Sequence, residues 1–158
     1  DTLPSRGLGD VYKRQVIRPN GFFSDITEVY SMAKSGRVFT FGDGGNLLNP
    51  IHGKDLARFC VEAIERNDTE LDVGGPDVLS VNDIAWLAFK SQNKVEKNTQ
   101  LPDFLRTAGL SLVRHLPEKW GGPAEFFLTM LGGDNIAPTY GHHRLEDYFR
   151  KLSEDDNI

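Results

Sequence analysis

His142 and His143 stand side by side, with Glu146 three residues after the second. Imidazoles beside a carboxylate could ligate a metal or move protons. A metal centre needs at least three donors of fitting geometry, and no second donor cluster accompanies this one along the chain. The pair therefore reads as solvent-exposed residues at a helix start, and no metal is expected. Asn49-Pro50-Ile51-His52-Gly53-Lys54-Asp55 runs from an extended segment into a helix. There Asp55 suits the positive end of the helix, which is a structural role. His52 just before it could touch a ligand, although a lone histidine more often serves structure. Gly42-Asp43-Gly44-Gly45 follows a strand. A dinucleotide loop would need G-x-G-x-x-G running into a helix, whereas these glycines lead into Asn46-Leu47-Leu48, so a hairpin turn is expected. Phe22-Phe23 could line a pocket or pack in the core. Cys60 falls on the apolar side of a helix and reads as core. Asn67-Asp68-Thr69 fits the glycosylation pattern but reads as a loop.

The elements that must position these residues come from an ordinary globular composition. The chain has 158 residues, 39% hydrophobic and 26% charged, with a net charge of −5 and one cysteine. One cysteine excludes a disulfide framework and fits a reducing, cytoplasmic setting. The acidic balance argues against a nucleic-acid binder. No apolar run approaches the roughly 20 residues of a membrane-spanning helix. The faces of Leu101–Leu116 and Phe126–Leu131 could touch a membrane surface peripherally, but core packing explains them as well. The oligomeric state is left open.

Asp1–Gln15 lacks any helical or strand period, and GDVYKRQ resembles translated sequencing-adapter sequence. Residues 1–15 are therefore expected to be a non-native leader, with the protein entered at Val16. Val16-Ile17 is a short apolar strand closed by Arg18-Pro19. A helix capped by Ser24 or Asp25 carries Ile26, Val29, Tyr30 and Ala33 and stops at Gly36. Val38–Phe41 and Leu47–Ile51 are extended. Lys54–Arg66 is helical with Leu56, Phe59, Cys60, Ala63 and Ile64 on its apolar side. Leu71–Val73 is a strand, and Ser80 with Asp83 caps a helix through Phe89. Ser91–Gln100 reads as loop with at most a strand near Val95. Helices follow over Asp103–Leu116, Pro123–Leu131 and Arg144–Leu152. The alternation of short strands and helices predicts an α/β fold, with too few strands for a complete sheet.

Val16-Ile-Arg-Pro-Asn-Gly-Phe-Phe, Phe41-Gly-Asp-Gly-Gly-Asn, Asn49-Pro-Ile-His-Gly-Lys-Asp-Leu-Ala and Val73-Gly-Gly-Pro occur in an order and spacing that resemble short-chain dehydrogenase/reductase proteins of the extended and atypical, NmrA-like kind. Asn135-Ile-Ala-Pro-Thr-Tyr-Gly and Leu145-Glu-Asp-Tyr-Phe resemble the end of one subgroup. The resemblance implies a partial Rossmann-like sheet over residues 16–92 and a mostly helical substrate subdomain over 93–158. It implies NAD or NADP as cofactor, a small organic substrate and oxidoreductase activity of a longer parent. A non-catalytic dinucleotide sensor and a nucleotide-sugar epimerase or dehydratase are the alternatives. The glycine-rich loop and the Tyr-x-x-x-Lys pair that relatives use have no counterpart here. Tyr30 and Lys34 share the spacing but sit inside a helix. By the same resemblance Arg18, Pro19, Asn20, Gly21 and Phe22 occupy the loop beside the nicotinamide, and Phe23, Asn49 and His52 face the substrate.

Overall fold

The protein's structure, a computed structural model, describes residues 15–113, 115, 125 and 128–156. The expected leader lies almost wholly outside them, as do residues 123, 124, 126 and 127 of the helix expected over Pro123–Leu131, of which residues 125 and 128–130 are helical.

Strand β1 (Val16–Pro19) leads into helix α1 (Phe23–Lys34), strand β2 (Val38–Phe41) and strand β3 (Leu47–Leu48). Helix α2 (Gly53–Ala63), strands β4 (Glu70–Val73) and β5 (Leu79–Ser80), and helix α3 (Val81–Ser91) follow. Strand β6 (Asn98–Leu101), helix α4 (Asp103–Val113) and a final helix α5 (Leu145–Asp155) complete the described elements. Three two-stranded pairings result: β1 with β4 and β2 with β6, both parallel, and β3 with β5, antiparallel. β1 aligns Val16 with Glu70 and Pro19 with Val73. It ends at Pro19 because proline has no N–H to continue a ladder.

Two clusters of buried side chains hold these pieces together. In the larger, α3 lies against α1 and α5. It contributes Val81, Ile84, Ala85, Leu87, Ala88 and Phe89 to meet Ile26, Val29, Tyr30 and Ala33 of α1 and Leu145 and Phe149 of α5. In the smaller, Phe59 of α2 packs with Ile51 and Val73 over Ile17, Leu71 and Tyr140. Contacts cross residues 92–93 freely, since β6 pairs with β2 and α5 packs on α1 and α3. Phe149 is fully buried and its ring lies 5.6 Å from that of Tyr30. Phe149→Ala is expected to cost about 3–5 kcal/mol in urea unfolding. Trp86→Ala should cost under about 1 kcal/mol, because that ring is 47% exposed beneath the Lys90 ammonium.

Several sequence expectations are corrected. The Gly42–Gly45 turn does not close a hairpin, because β2 and β3 pair with β6 and β5 rather than with each other. The strand after α3 is β6, and Val95 is exposed. Asn98-Thr-Gln-Leu has no apolar alternation to announce it; parallel pairing with β2 makes it a strand. Helix α1 starts earlier, with Phe22 at its cap position, and the Asp25 carboxylate accepts the Phe22 N–H at 2.8 Å. Asp25 thus supplies half a capping box from the third helical position. Ile64 lies past the end of α2 and is exposed, and Cys60 is half-buried. Helix α4 buries none of its residues, and Phe104 and Leu112 face outward. Among the described residues no helix is long and apolar enough to cross a membrane.

Candidate functional site

In open α/β sheets, ligands gather beyond the carboxyl ends of the strands, where loops rather than ladder bonds occupy the backbone. The carboxyl ends of β1 and β4 lie side by side, and three loops meet there. They are Asn20–Phe22 after β1, Asn49–His52 before α2, and Gly74-Gly75 after β4. A fourth segment, residues 135–143, crosses them as a strap. The Gly74 N–H donates to the Pro138 carbonyl at 2.9 Å and the Tyr140 N–H returns to the Gly74 carbonyl at 2.9 Å. A cleft of about 330 Å³ opens between Arg18, Pro19, Asn20 and Asp72 on one side and Asn135–Pro138 of the strap on the other.

Asn49 organises this end of the molecule. It is fully buried, so all its polar groups need partners inside the protein. Its Nδ2 donates to the Ala137 carbonyl at 2.8 Å and the Gly75 carbonyl at 3.3 Å. Its Oδ1 accepts the Ala137 N–H at 3.0 Å and Asn20 Nδ2 at 2.6 Å. That fills both donors and both lone pairs of the amide. Asn20 Nδ2 also donates to the Asn135 carbonyl. Two asparagines thus fix one wall of the cleft to the other.

The remaining sequence-predicted residues fall around this frame. Arg18 reaches across to Asp72 at 2.8 Å and Glu70 at 2.9 Å on the partner strand, and all three are about half exposed. The hydrogen bond and charge of Asp72, followed by the charge of Glu70, hold the guanidinium above its ordinary range. The Gly21 carbonyl accepts the Ile51 N–H at 2.9 Å, which fastens the first loop to the second. Phe22 is half-buried beside Ile51. Phe23 is buried, with its ring edge-on to His52 at 5.5 Å. His52 caps α2, its Nδ1 accepting the Lys54 N–H at 3.2 Å. Burial, and then the neighbouring His143, push the His52 imidazole below its usual range, so it is neutral at pH 7.

The structure also assembles a group the sequence did not connect. Asp55 is fully buried, and its carboxylate accepts the backbone N–H groups of His142 at 3.0 Å and His143 at 2.9 Å. Its other oxygen lies 2.8 Å from His143 Nδ1. Burial alone would push this carboxyl up. The hydrogen bonds from His143 and His142 outweigh burial and hold the carboxyl below the usual range. His143 is therefore only partly exposed, and it is stacked between His142 and His52 at ring separations of 4.5 and 4.4 Å. This corrects the reading of the pair as solvent-exposed for His143, while His142 is exposed as expected. The distance of 87 positions from Asp55 to His142 hid the contact from any motif.

The cleft side chains can bind and orient a polar ligand. Arg18 and Asp72, paired with each other, line one side of the cleft with a guanidinium and a carboxylate.

No family model matches the chain, and no curated protein matches it. Solved structures do. Leucoanthocyanidin reductase of Vitis vinifera, in complex with NADPH, superposes with a TM-score of 0.55 at 13% identity, over 90% of this chain and 48% of the reductase. The dTDP-glucose 4,6-dehydratase of Bacillus anthracis, in complex with NAD, gives 0.54 at 11% identity, over 84% of this chain and 39% of the enzyme. A human epimerase family protein with NADPH gives 0.53 at 18% identity, over 90% of this chain and 47% of that protein. The chain thus spans less than half the length of each of these structures. At such identities the likeness is one of architecture, and the chain has an α/β, partial Rossmann-like fold.

Proposed function

We propose that this chain forms one part of an NAD- or NADP-dependent oxidoreductase acting on a small organic substrate, supplying the wall of the nicotinamide site and the substrate side. The observation that carries the reading is the polar cleft at the carboxyl end of β1, bounded by Arg18, Pro19 and Asn20. Its position follows the rule for ligand sites in such sheets, and its size of about 330 Å³ falls at the lower end of small-ligand pockets. That volume suits the nicotinamide half of a dinucleotide rather than the whole. The cofactor, when bound, would supply the hydride chemistry, and the protein supplies orientation and electrostatics.

In this reading Arg18 through Phe22 form the cofactor-facing loop. Asn49 positions that loop by binding both Asn20 and the strap. Phe23 supports the loop from beneath, and His52, neutral and half-buried, borders the substrate side. Gly42–Gly45 turns into a strand rather than a helix, and no helix N-terminus stands ready there for a pyrophosphate. The adenosine and phosphate contacts belong to another part of the parent.

Calorimetric titration of the chain tests this division. Nicotinamide mononucleotide and NADPH are expected to bind alike, each near about 1 mM, with adenosine monophosphate showing no saturable binding. Micromolar affinity for NADPH would overturn the assignment of only the nicotinamide wall to this chain.

A further inference from the structure

We propose that Asp55, His142 and His143 form a binding site for a divalent cation of the zinc class, which clamps the strap to helix α2. Three donor atoms, one from each side chain, lie within 4.8 Å of one another. His143 Nδ1 is 2.8 Å and His142 Nδ1 3.7 Å from the same Asp55 oxygen. Ligands on one tetrahedral zinc ion stand about 3.3 Å apart, given bond lengths near 2.0 Å, and the two Asp55–histidine separations bracket that value.

The electrostatics favour a cation. Asp55 is fully buried, yet its ion-pair neighbours among the described residues are these two imidazoles alone. Elsewhere among the described residues the ion-paired carboxylates face an Arg or a Lys, as at Arg18–Asp72 and Lys90–Glu146. A buried anion without a permanent positive partner is costly, and a metal ion supplies one. His142, with its side chain 62% exposed, gives the ion an entry path. Two imidazole nitrogens and one carboxylate oxygen form a donor set suited to Zn²⁺, Co²⁺, Ni²⁺ or Cu²⁺ rather than to Mg²⁺ or Ca²⁺. The second Asp55 oxygen keeps its two backbone N–H bonds, which orient the carboxylate as outer-shell donors orient metal ligands elsewhere.

Binding requires two rearrangements. His143 must present its Nδ1 lone pair to the ion, with its ring proton on Nε2 in the bound state. Arg58, whose Nη1 lies 3.3 Å from His142 Nδ1, swings away. Arg58→Ala should therefore tighten binding.

The test is titration of the metal-free chain with Zn²⁺ by calorimetry and with Co²⁺ by visible absorption. One ion per chain with a dissociation constant below about 10 µM is expected, together with an intense ligand-field band for Co²⁺. His142→Ala, at an exposed position, should weaken binding at least about 30-fold without unfolding the protein, and His143→Ala should weaken it further. Arg58→Ala should strengthen it about threefold or more. Absence of saturable binding below about 1 mM would overturn the proposal. So would binding that persists unchanged in both histidine variants, because the ion would then sit elsewhere. Neither outcome bears on nicotinamide binding, which is read at the separate cleft.

Discussion

Asn49→Ala is expected to destabilise the protein by about 4 kcal/mol. The side chain makes four hydrogen bonds in a fully buried setting. Truncation leaves the Ala137 N–H, two carbonyls and an Asn20 donor without that partner, at roughly 1–3 kcal/mol for each one that stays dry. Partial entry of water keeps the total below the sum. Asn49→Asp should be no milder. It keeps the size but replaces two donors by an acceptor facing the carbonyls of Gly75 and Ala137, and it buries a charge. Urea unfolding monitored by circular dichroism measures both. Because Asn49 joins the two walls of the cleft, ligand affinity should fall with stability. A loss under about 1 kcal/mol for Asn49→Ala would show that the amide network is not what holds the strap.

The second large effect is expected at Gly75. A Cβ there would lie 1.9 Å from the Pro50 carbonyl oxygen and 3.4 Å from the Ile51 Cα. Both are backbone atoms in the segment that carries Asn49 and His52, so no side-chain rotation relieves the clash. The Gly75 N–H also donates to the Asn49 carbonyl at 2.8 Å, so the two chains cannot separate without losing that bond. Gly75→Ala should cost at least about 4 kcal/mol or prevent folding at 37 °C. Gly53→Ala provides the control, since a Cβ at that position meets nothing within 4 Å. Thermal melts of the two variants side by side should separate by more than about 10 °C.

Much of the scaffold was legible because its signals are local. The Ser80–Asp83 capping box is seen as expected, with the Ser80 hydroxyl accepting the Asp83 N–H at 3.0 Å. Gly36 ends α1 at φ +96°, and the spacing of Ile26, Val29, Tyr30 and Ala33 marked the buried face. What escaped depends on partners distant in sequence. β6 is a strand because β2 lies beside it, some 60 residues upstream. His143 contacts a carboxylate because the strap folds back across 88 residues. Asn49 was picked out as a site residue, but its saturation by backbone groups of Gly75 and Ala137 could be read only from the fold. Burial of Asp55 has the same origin. Its place in the first turn of α2 suggested a helix-dipole role, whereas its strongest partners come from the far end of the chain.

The most direct test of the proposed nicotinamide wall is residue-resolved. Amide chemical shifts of the isotopically labelled chain would be followed by NMR during titration with nicotinamide mononucleotide. The predicted result is saturable shifts concentrated at Arg18, Asn20, Gly21 and Phe22 and at Ile136 and Ala137 across the cleft, with Gly42–Gly45 unmoved. Saturable shifts clustered anywhere else, or no shifts at concentrations up to about ten times the expected millimolar dissociation constant, would contradict it.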